Sequence, residues 1–493
     1  MAKKKQVILL MTDTTRFDML GCYGNPEMKT PNLDALAEEG IRFEHAYTCQ
    51  PVCGPARAAI FTGTYPHSCG GFTNSYALGA NVKTIGQRLH DNGIRTAYIG
   101  KYHLDGGDYF GLGRCPDGWD EEYWYDMRMY LEELTPEERV RSRQDGKNEG
   151  ITEEFLFGHR VCSRAVDYIK KYGDESFFLV TSLDEPHGPS LCPEPYASMY
   201  QNYEFPKKPN VYDTLEGKPD YQKVWAGKSR FADRDQVKIK EPSFFGCNSY
   251  ADYELGKVIQ AAKQYAPDAM IIYTSDHGDA LQSHCLCGKG PAAYDEVARI
   301  PLIIRGGVKG AVAQAPVSHI NLAPTIMEYM DLPIPRLLEG KSILPMLENP
   351  DLDINHEIFM EFTRYEVDHD GFGGFRPMRS VFDGRYKLSV HLLDQTDELY
   401  DLKSDPYEMK NLIFDETHYE KAKNLHEKLL NWMNETRDPF RGYDWERRPW
   451  RKDAKAPSWE YTGYTRQREN EEYEPRQLDY ATGLEMAEAT RLK

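Results

Sequence analysis

Met270–Asp279, "MIIYTSDHGD", is the stretch that decides the fold. An apolar run that stops abruptly at Ser275, Asp276, His277 and Gly278 reads as a buried strand that delivers polar side chains at its carboxyl end. The same pattern recurs along the chain. "VILLM" at Val7 runs into "TDTTR", "TAYIG" at Thr96 into "GKYH" and "FFLVTS" at Phe177 into "DEPHGP", while "IPLIIRG" at Ile300 adds a fifth apolar run. Helical patterns over Asn32–Glu39, Val82–Asn92, Phe155–Tyr172 and Gly246–Gln264 lie between them. Buried strands alternating with helices predict an α/β fold, a parallel sheet covered on both faces, with ligands taken at the carboxyl ends of its strands.

The length of 493 residues exceeds one ordinary core, so a large and a small domain are expected. Residues 1–350 carry the α/β pattern. Over 351–436 the texture changes: "YKLSVHLLDQTDELYDL" alternates like an antiparallel hairpin, and Glu416–Asn434 reads as one helix. Residues 437–493 are charged and rich in large rings, among them Trp445, Trp450, Trp459, Tyr461 and Tyr464. That composition suits an ordered arm wrapped on its own body or on a second subunit of a homo-oligomer.

With 60 Lys and Arg against 78 Asp and Glu, the formal net charge of -18 argues against nucleic acid or an anionic membrane as partner. The apolar run after "MAKKKQ" is shorter than a signal-peptide core, and no stretch reaches the roughly 20 apolar residues of a membrane span. Ten irregularly spaced cysteines fit reduced thiols, so a cytoplasmic location is expected.

Asp13, closing the first strand, and Asp276 with His277, closing another, make an oxygen-rich set suited to a hard divalent cation. Alone, "SDHG" reads as well as a helix-capping aspartate beside a satisfied histidine. Lys101 and His103 fall on one side of an extended segment, His187 lies in a proline-flanked loop and Lys289 lies between glycines. An oxyanion in transit needs several such fixed cations. In "CQPVCGPARAAIFTG", Cys49–Gly63, Cys53 opens a helix four residues ahead of Arg57. A buried structural cysteine, half of a disulfide and a low-pKa thiol nucleophile are all open readings. A metal site beside it asks instead for an oxygen nucleophile.

The series "CGPAR", "TPNLDALAEEGIRFEHAY", "FTGTYPH", "GIRTAYIGKYHL", "TSDHGD", "KGPAAYDEVARIPLIIR", "VSHINLAPTIMEYMDLP" and "ELYDLKSDPYEMKNL" resembles the type I sulfatases of the alkaline phosphatase-like superfamily, in the family's order, from about Lys4 to Leu412. The resemblance implies a large, mixed, mostly parallel sheet flanked by helices, with a smaller C-terminal antiparallel sheet plus helix.

It also implies that a maturation enzyme oxidises Cys53 to formylglycine, whose hydrate attacks sulfur and then expels sulfate. Arg57 would stabilise the deprotonated hydrate, Lys101 and His103 would hold it and serve sulfate release, and His187 and Lys289 would grip the sulfate and protonate the leaving alcohol. Asp13, Asp276 and His277 carry over as metal ligands, for calcium first and magnesium or manganese otherwise. Thr14 stands where the family commonly has a second aspartate, so its part in the metal site is open. Asn74 stands where relatives sometimes place a substrate-facing polar residue. His67 and His284 are expected to be structural, and Cys285 with Cys287 incidental. The expected substrate is a sulfated carbohydrate, a hexosamine or glycosaminoglycan fragment, with the aromatic insertion Gly106–Asn148 and the C-terminal arm as pocket rims. Two alternatives remain: a phosphonate monoester or phosphodiester hydrolase, which His277 in place of the common Asn would suit, and an inactive relative that binds sulfated sugars.

Overall fold

The computed structural model describes residues 4–107, 110–366 and 374–454. Its strands in chain order are β1 Gln6–Asp13, β2 Ile41–Phe43, β3 Ala46–Tyr47, β4 Arg95–Gly100, β5 Phe177–Pro186, β6 Met270–Ser275, β7 Leu302–Arg305, β8 Ala311–Ala313, β9 Val317–Ser318, β10 Ile358–Phe362, β11 Met378–Phe382, β12 Tyr386–His391 and β13 Glu398–Asp401. Seven form the main sheet in the order β4-β5-β1-β6-β7-β2-β8. The strands β4, β5, β1 and β6 run parallel, whereas β7 is antiparallel to both its neighbours. The apolar run at Ile300 therefore becomes a strand against the grain, and the sheet is mixed but mostly parallel.

The central strand shows why both faces are covered. On β1, Val7, Leu9 and Met11 enter one core with Ile60, Phe61 and Tyr98, while Ile8 and Leu10 enter the other with Val161, Leu255 and Ile259. Period-two alternation thus feeds two apolar layers instead of one. The helices Phe157–Tyr172 and Pro242–Tyr265 supply the second layer. Each begins or ends within a few residues of the span expected from sequence.

Strands β10 to β13 form a separate antiparallel sheet in consecutive order. The helix Tyr419–Glu435 lays Leu425, Leu429 and Met433 against Val381, Leu388 and Leu399 of that sheet. The first part of the arm also packs here: Trp445 and Trp450 are buried, and the Trp450 indole N–H donates to Asp397 Oδ2 at 2.8 Å. Trp459, Tyr461 and Tyr464 lie outside the described residues. No helix among the described residues is long and apolar enough to cross a membrane.

The insertion differs from expectation in its aromatic part. Trp119, Trp124 and Tyr125 are buried in the two cores, with Trp119 edge-on to Phe61 and Tyr98. Large rings beside charged residues look like a pocket rim in sequence, but here they wedge a loop onto the sheet.

Candidate active site

The helix Cys53–Thr62 is buried along its whole length, which Ala56, Ala58 and Ala59 permit by keeping its girth small. Pro55 sits in its first turn, where a missing N–H costs nothing. Arg57 lies one turn beyond Cys53 and so shares its face. Its Nε donates to Asp276 Oδ2 at 3.2 Å, one terminal nitrogen lies 3.3 Å from Asp13 Oδ2, and the other donates to the Lys101 carbonyl at 2.6 Å and Ser182 Oγ at 2.7 Å. One guanidinium thus ties the ends of β1, β4, β5 and β6 together.

Gly100 makes the close approach of β4 to β5 feasible. Its φ is 124°, and a Cβ there would stand 1.8 Å from the Ser182 carbonyl oxygen. Only glycine fits, and Lys101 follows directly, its ammonium 2.8 Å from Asp13 Oδ2 and 2.8 Å from Asp184 Oδ1. The extended alternation expected through Lys101 and His103 does not persist: His103 has a φ of 59°. Its ring is buried, and its carbonyl oxygen lies against Gly54.

Cys53 Sγ marks the point where these elements converge. Lys289 Nζ lies 2.7 Å from it, His277 Nε2 3.2 Å and Asp13 Oδ1 3.7 Å. Burial and Asp13 push the thiol up, but Lys289, Lys101 and His277 outweigh them and hold it well below the usual thiol range. The same cations would favour any anionic atom at this position.

Asp13, Cys53, Asp276 and His277 offer ligand atoms that all lie within 4.8 Å of one another, and all four residues are buried. The electrostatics of the carboxylates fit a cation. Burial raises Asp13, yet Lys101, His187, Lys289 and His277 bring it well below the usual carboxylate range. Asp276 is raised to about 7 by burial and by the Asp13 charge beside it. A pair that holds its second charge so reluctantly suits a divalent ion. The His277 Nδ1–H faces the Gly278 carbonyl at 2.8 Å, which turns the lone pair of Nε2 toward the cluster. Thr14 stands beside it: its hydroxyl donates to Asp13 Oδ1 at 2.7 Å and its N–H to Asp276 Oδ1 at 3.2 Å. This β-branched residue holds a φ of 69°, a conformation that costs about 1–3 kcal/mol and clusters at functional sites.

Above the cluster opens a cavity of about 760 Å³. Thr14, His187 and Lys289 line its floor, and Trp225, Phe244, Tyr365, Glu241 and Asp279 stand among its walls. The His187 Nδ1–H donates to the Gly188 carbonyl at 2.8 Å. Burial and Lys101 push this imidazole down. Among the described residues, only Asp145 and Gly146 of the insertion line the cavity, and none of the arm does.

Asn74 is buried, and its Oδ1 accepts the Gly54 N–H at 2.9 Å, so it steadies the turn that carries Cys53. His67 is tied to Glu361 and Thr436, and His284 to Asp213 and Asn210, both away from Cys53. Cys285 is buried, and Cys287 lies at the cavity wall. Sequence reasoning missed Ser182 and Asp184. Alternation along "TSLDEP" was the available signal, since it puts both on one face of β5.

A family model described as Sulfatase matches residues 5–332, and one described as N-sulphoglucosamine sulphohydrolase, C-terminal, matches residues 290–435. The chain is 43% identical over 493 residues to a protein of Escherichia coli (strain K12) described as "Uncharacterized sulfatase YidJ", covering 98% of this chain and 97% of that one. A solved structure described as in complex with its substrate D-glucosamine-2-N,6-O-disulfate superposes with a TM-score of 0.72 at 21% identity, covering 89% of this chain and 99% of that one. The phosphonate monoester hydrolase of Agrobacterium radiobacter superposes at 0.74 and 22% identity, covering 88% and 96%. At these identities the two structural likenesses bear on the fold alone.

Proposed function

The chain belongs to the sulfatase family and is a sulfuric ester hydrolase, and from that footing we propose that it cleaves a sulfated carbohydrate, a hexosamine or glycosaminoglycan fragment, through a formylglycine made from Cys53. The observation that carries this reading is the position of Cys53. It lies 2.7 Å from the Nζ of Lys289, a residue lining the large cavity, and within a cluster of metal-ligating groups.

Formylglycine at position 53 would supply an oxygen nucleophile and a means of expelling sulfate after transfer. A divalent cation held by Asp13, Asp276 and His277, calcium by our reading, would supply Lewis acidity beside it. The remaining work falls to this chain's own residues. Lys289 and His187 flank the cavity floor and would hold the ester's sulfate oxygens, so that charge growing on them meets fixed cations. The negative charge of a bound sulfate would favour the imidazolium form of His187, and with its Nδ1–H committed to Gly188 the proton on Nε2 would go to the bridging oxygen as the alcohol leaves. Arg57 keeps Asp13 and Asp276 in register, and Lys101 with His103 would orient the group at position 53. Thr14 would act through its hydrogen bond to Asp13.

The carbohydrate reading draws on the walls. Trp225, Phe244 and Tyr365 offer flat faces, and Glu241, Asp279 and Asp145 offer acceptors for hydroxyl groups. A structural neighbour whose substrate is a disulfated glucosamine supports it. The test is a panel of sulfated mono- and disaccharides set against an aryl sulfate and a phosphodiester. Highest kcat/KM on a sulfated sugar is expected. Faster turnover of the phosphodiester would replace this reading with the phosphodiester alternative, and sugar binding without turnover would favour the inactive relative.

A further inference from the structure

The cavity above Cys53 carries charge of both signs, and the two are kept apart. Lys289, buried and 2.7 Å from Cys53 Sγ, supplies positive charge at the floor. Asp145, Glu241 and Asp279 line the wall, where Asp145 and Glu241 are exposed and Asp279 is half-buried. Among the described residues the wall sets one cation, Lys238, against these three carboxylates.

The three acids come from separate segments brought to one place. Asp279 follows β6, and its Oδ1 accepts the Leu281 N–H at 2.8 Å and the Gly288 N–H at 3.2 Å, which fixes the carboxylate. Glu241 stands at the N-cap of the helix Pro242–Tyr265, yet its side chain makes no capping hydrogen bond. Asp145 precedes Gly146, whose N–H donates to the Pro189 carbonyl at 3.1 Å and so ties the end of the insertion to the loop bearing His187. The acids act on one another: burial, then the Asp279 and Asp145 charges, push the Glu241 carboxyl up. Among the described residues none of the three has an ion-pair partner, whereas Arg57 holds both Asp13 and Asp276. Carboxylates gathered without matching cations favour a ligand that brings positive charge and reject one that brings negative charge. In the same wall, Trp225 and Tyr365 offer π faces, which also prefer a cation to a neutral group.

We propose that Asp145, Glu241 and Asp279 select a sulfated hexosamine whose amino group is unsubstituted, its ammonium held at this wall while its sulfate lies on Lys289 and His187. The proposal rests on the sulfated-carbohydrate reading given above and narrows it. A free amine makes the substrate a zwitterion whose two charges match the two signs of the cavity. N-acetylation removes the positive charge, and an N-sulfate or a uronate carboxylate sets a negative one against the wall. This chain would then part from the structural neighbour described with D-glucosamine-2-N,6-O-disulfate, whose nitrogen carries a sulfate.

The test uses glucosamine sulfated at O3 or at O6, each as the free amine, the N-acetyl form and the N-sulfated form, with Ca2+ present. Wild type is assayed for kcat/KM, and Cys53→Ala is titrated by calorimetry so that affinity is read without turnover. In whichever series binds more tightly, the free amine is expected to exceed the N-acetyl form by roughly tenfold in both quantities, the scale of several solvent-screened charge pairs, with the N-sulfated form last. Glu241→Gln keeps an acceptor oxygen and loses the charge, so made in either background it should lower the ratio of free amine to N-acetyl by roughly two- to fivefold. Asp145→Asn, on another segment, makes the same comparison should Glu241→Gln not fold. An N-acetyl or N-sulfated form equal to or better than the free amine, or a ratio unchanged in both variants, would overturn the proposal and leave the sulfated-sugar reading standing. If wild type turned over no sugar sulfate, that reading would fail, while the calorimetric order still decided what the wall selects. Failure of all six esters to bind would overturn the proposal as well.

Discussion

Two of the groups of buried charges in this molecule are built on opposite plans. At the carboxyl edge of the main sheet, Arg57, Lys101, Lys289, Asp13 and Asp276 converge on Cys53, and their side opens into a cavity. Beneath the antiparallel sheet, Arg379 meets Asp438 through two hydrogen bonds of 2.6 and 3.1 Å, with both side chains fully buried. The second group is closed pairwise, and its geometry accounts for its charges. The first is left with like charges side by side, and Asp276 at about 7 records the cost. Convergent charge opening onto a cavity marks chemistry, whereas matched charge closed by packing marks architecture.

The largest effect should come from position 53. Cys53→Ala is expected to lower kcat/KM by roughly 10⁴-fold or more, with the melting temperature nearly unchanged, as for removal of any nucleophile. Lys289→Ala should cost about 10²–10³-fold in kcat, the scale of one lost oxyanion donor. Steady-state kinetics with a melting curve checks both. Chelation should abolish turnover reversibly and lower the melting temperature, since a cation bound only by the folded state stabilises it. Recovery should follow addition of Ca2+.

The closed group should answer in the other currency. Arg379→Ala leaves Asp438 buried and unpaired, so a loss of about 3–5 kcal/mol in unfolding free energy is expected, with kcat within twofold of wild type. A comparable loss of kcat without loss of stability would erase the distinction drawn between the two regions.

The smallest effect concerns His67, which links the main domain to β10 through Glu361. Burial pushes its imidazole down, but Glu361 outweighs burial and holds it above the ordinary value of 6.5. A group raised on folding contributes stability that is complete below its unfolded value and is lost as pH rises through its folded one. Stability should therefore decline as pH climbs beyond about 6.5, and His67→Gln should flatten that part of the profile. A mutant whose melting temperature tracks wild type across this range would contradict the assignment.

Much of this was legible because strand ends carry their own signature. Apolar runs that stop in polar clusters located β1, β4, β5 and β6, and the carboxyl-end rule then gathered Asp13, Lys101, Asp276 and His277. Lys289 stood out between two glycines and Cys53 at a helix mouth ahead of Arg57, but the roles expected of them came from the family resemblance. What escaped depends on contacts distant in sequence or on loop conformation. Asp184 finds Lys101 across 83 residues, and alternation along "TSLDEP" places it on the face of Ser182 without revealing that partner. Asn74 reads as a pocket residue until its Oδ1 is seen on Gly54. Trp119 and Trp124 read as a rim because composition does not reveal which side of a loop faces the sheet.

The account turns on whether Cys53 is a thiol or the precursor of an oxygen nucleophile. Tandem mass spectrometry of the peptide containing Cys53, taken from enzyme with measured sulfate-ester turnover, tests it most directly. Conversion to formylglycine should lower the peptide mass by about 18 Da, the difference between the two residue formulae. A fully active enzyme whose Cys53 peptide carries an intact thiol would contradict it.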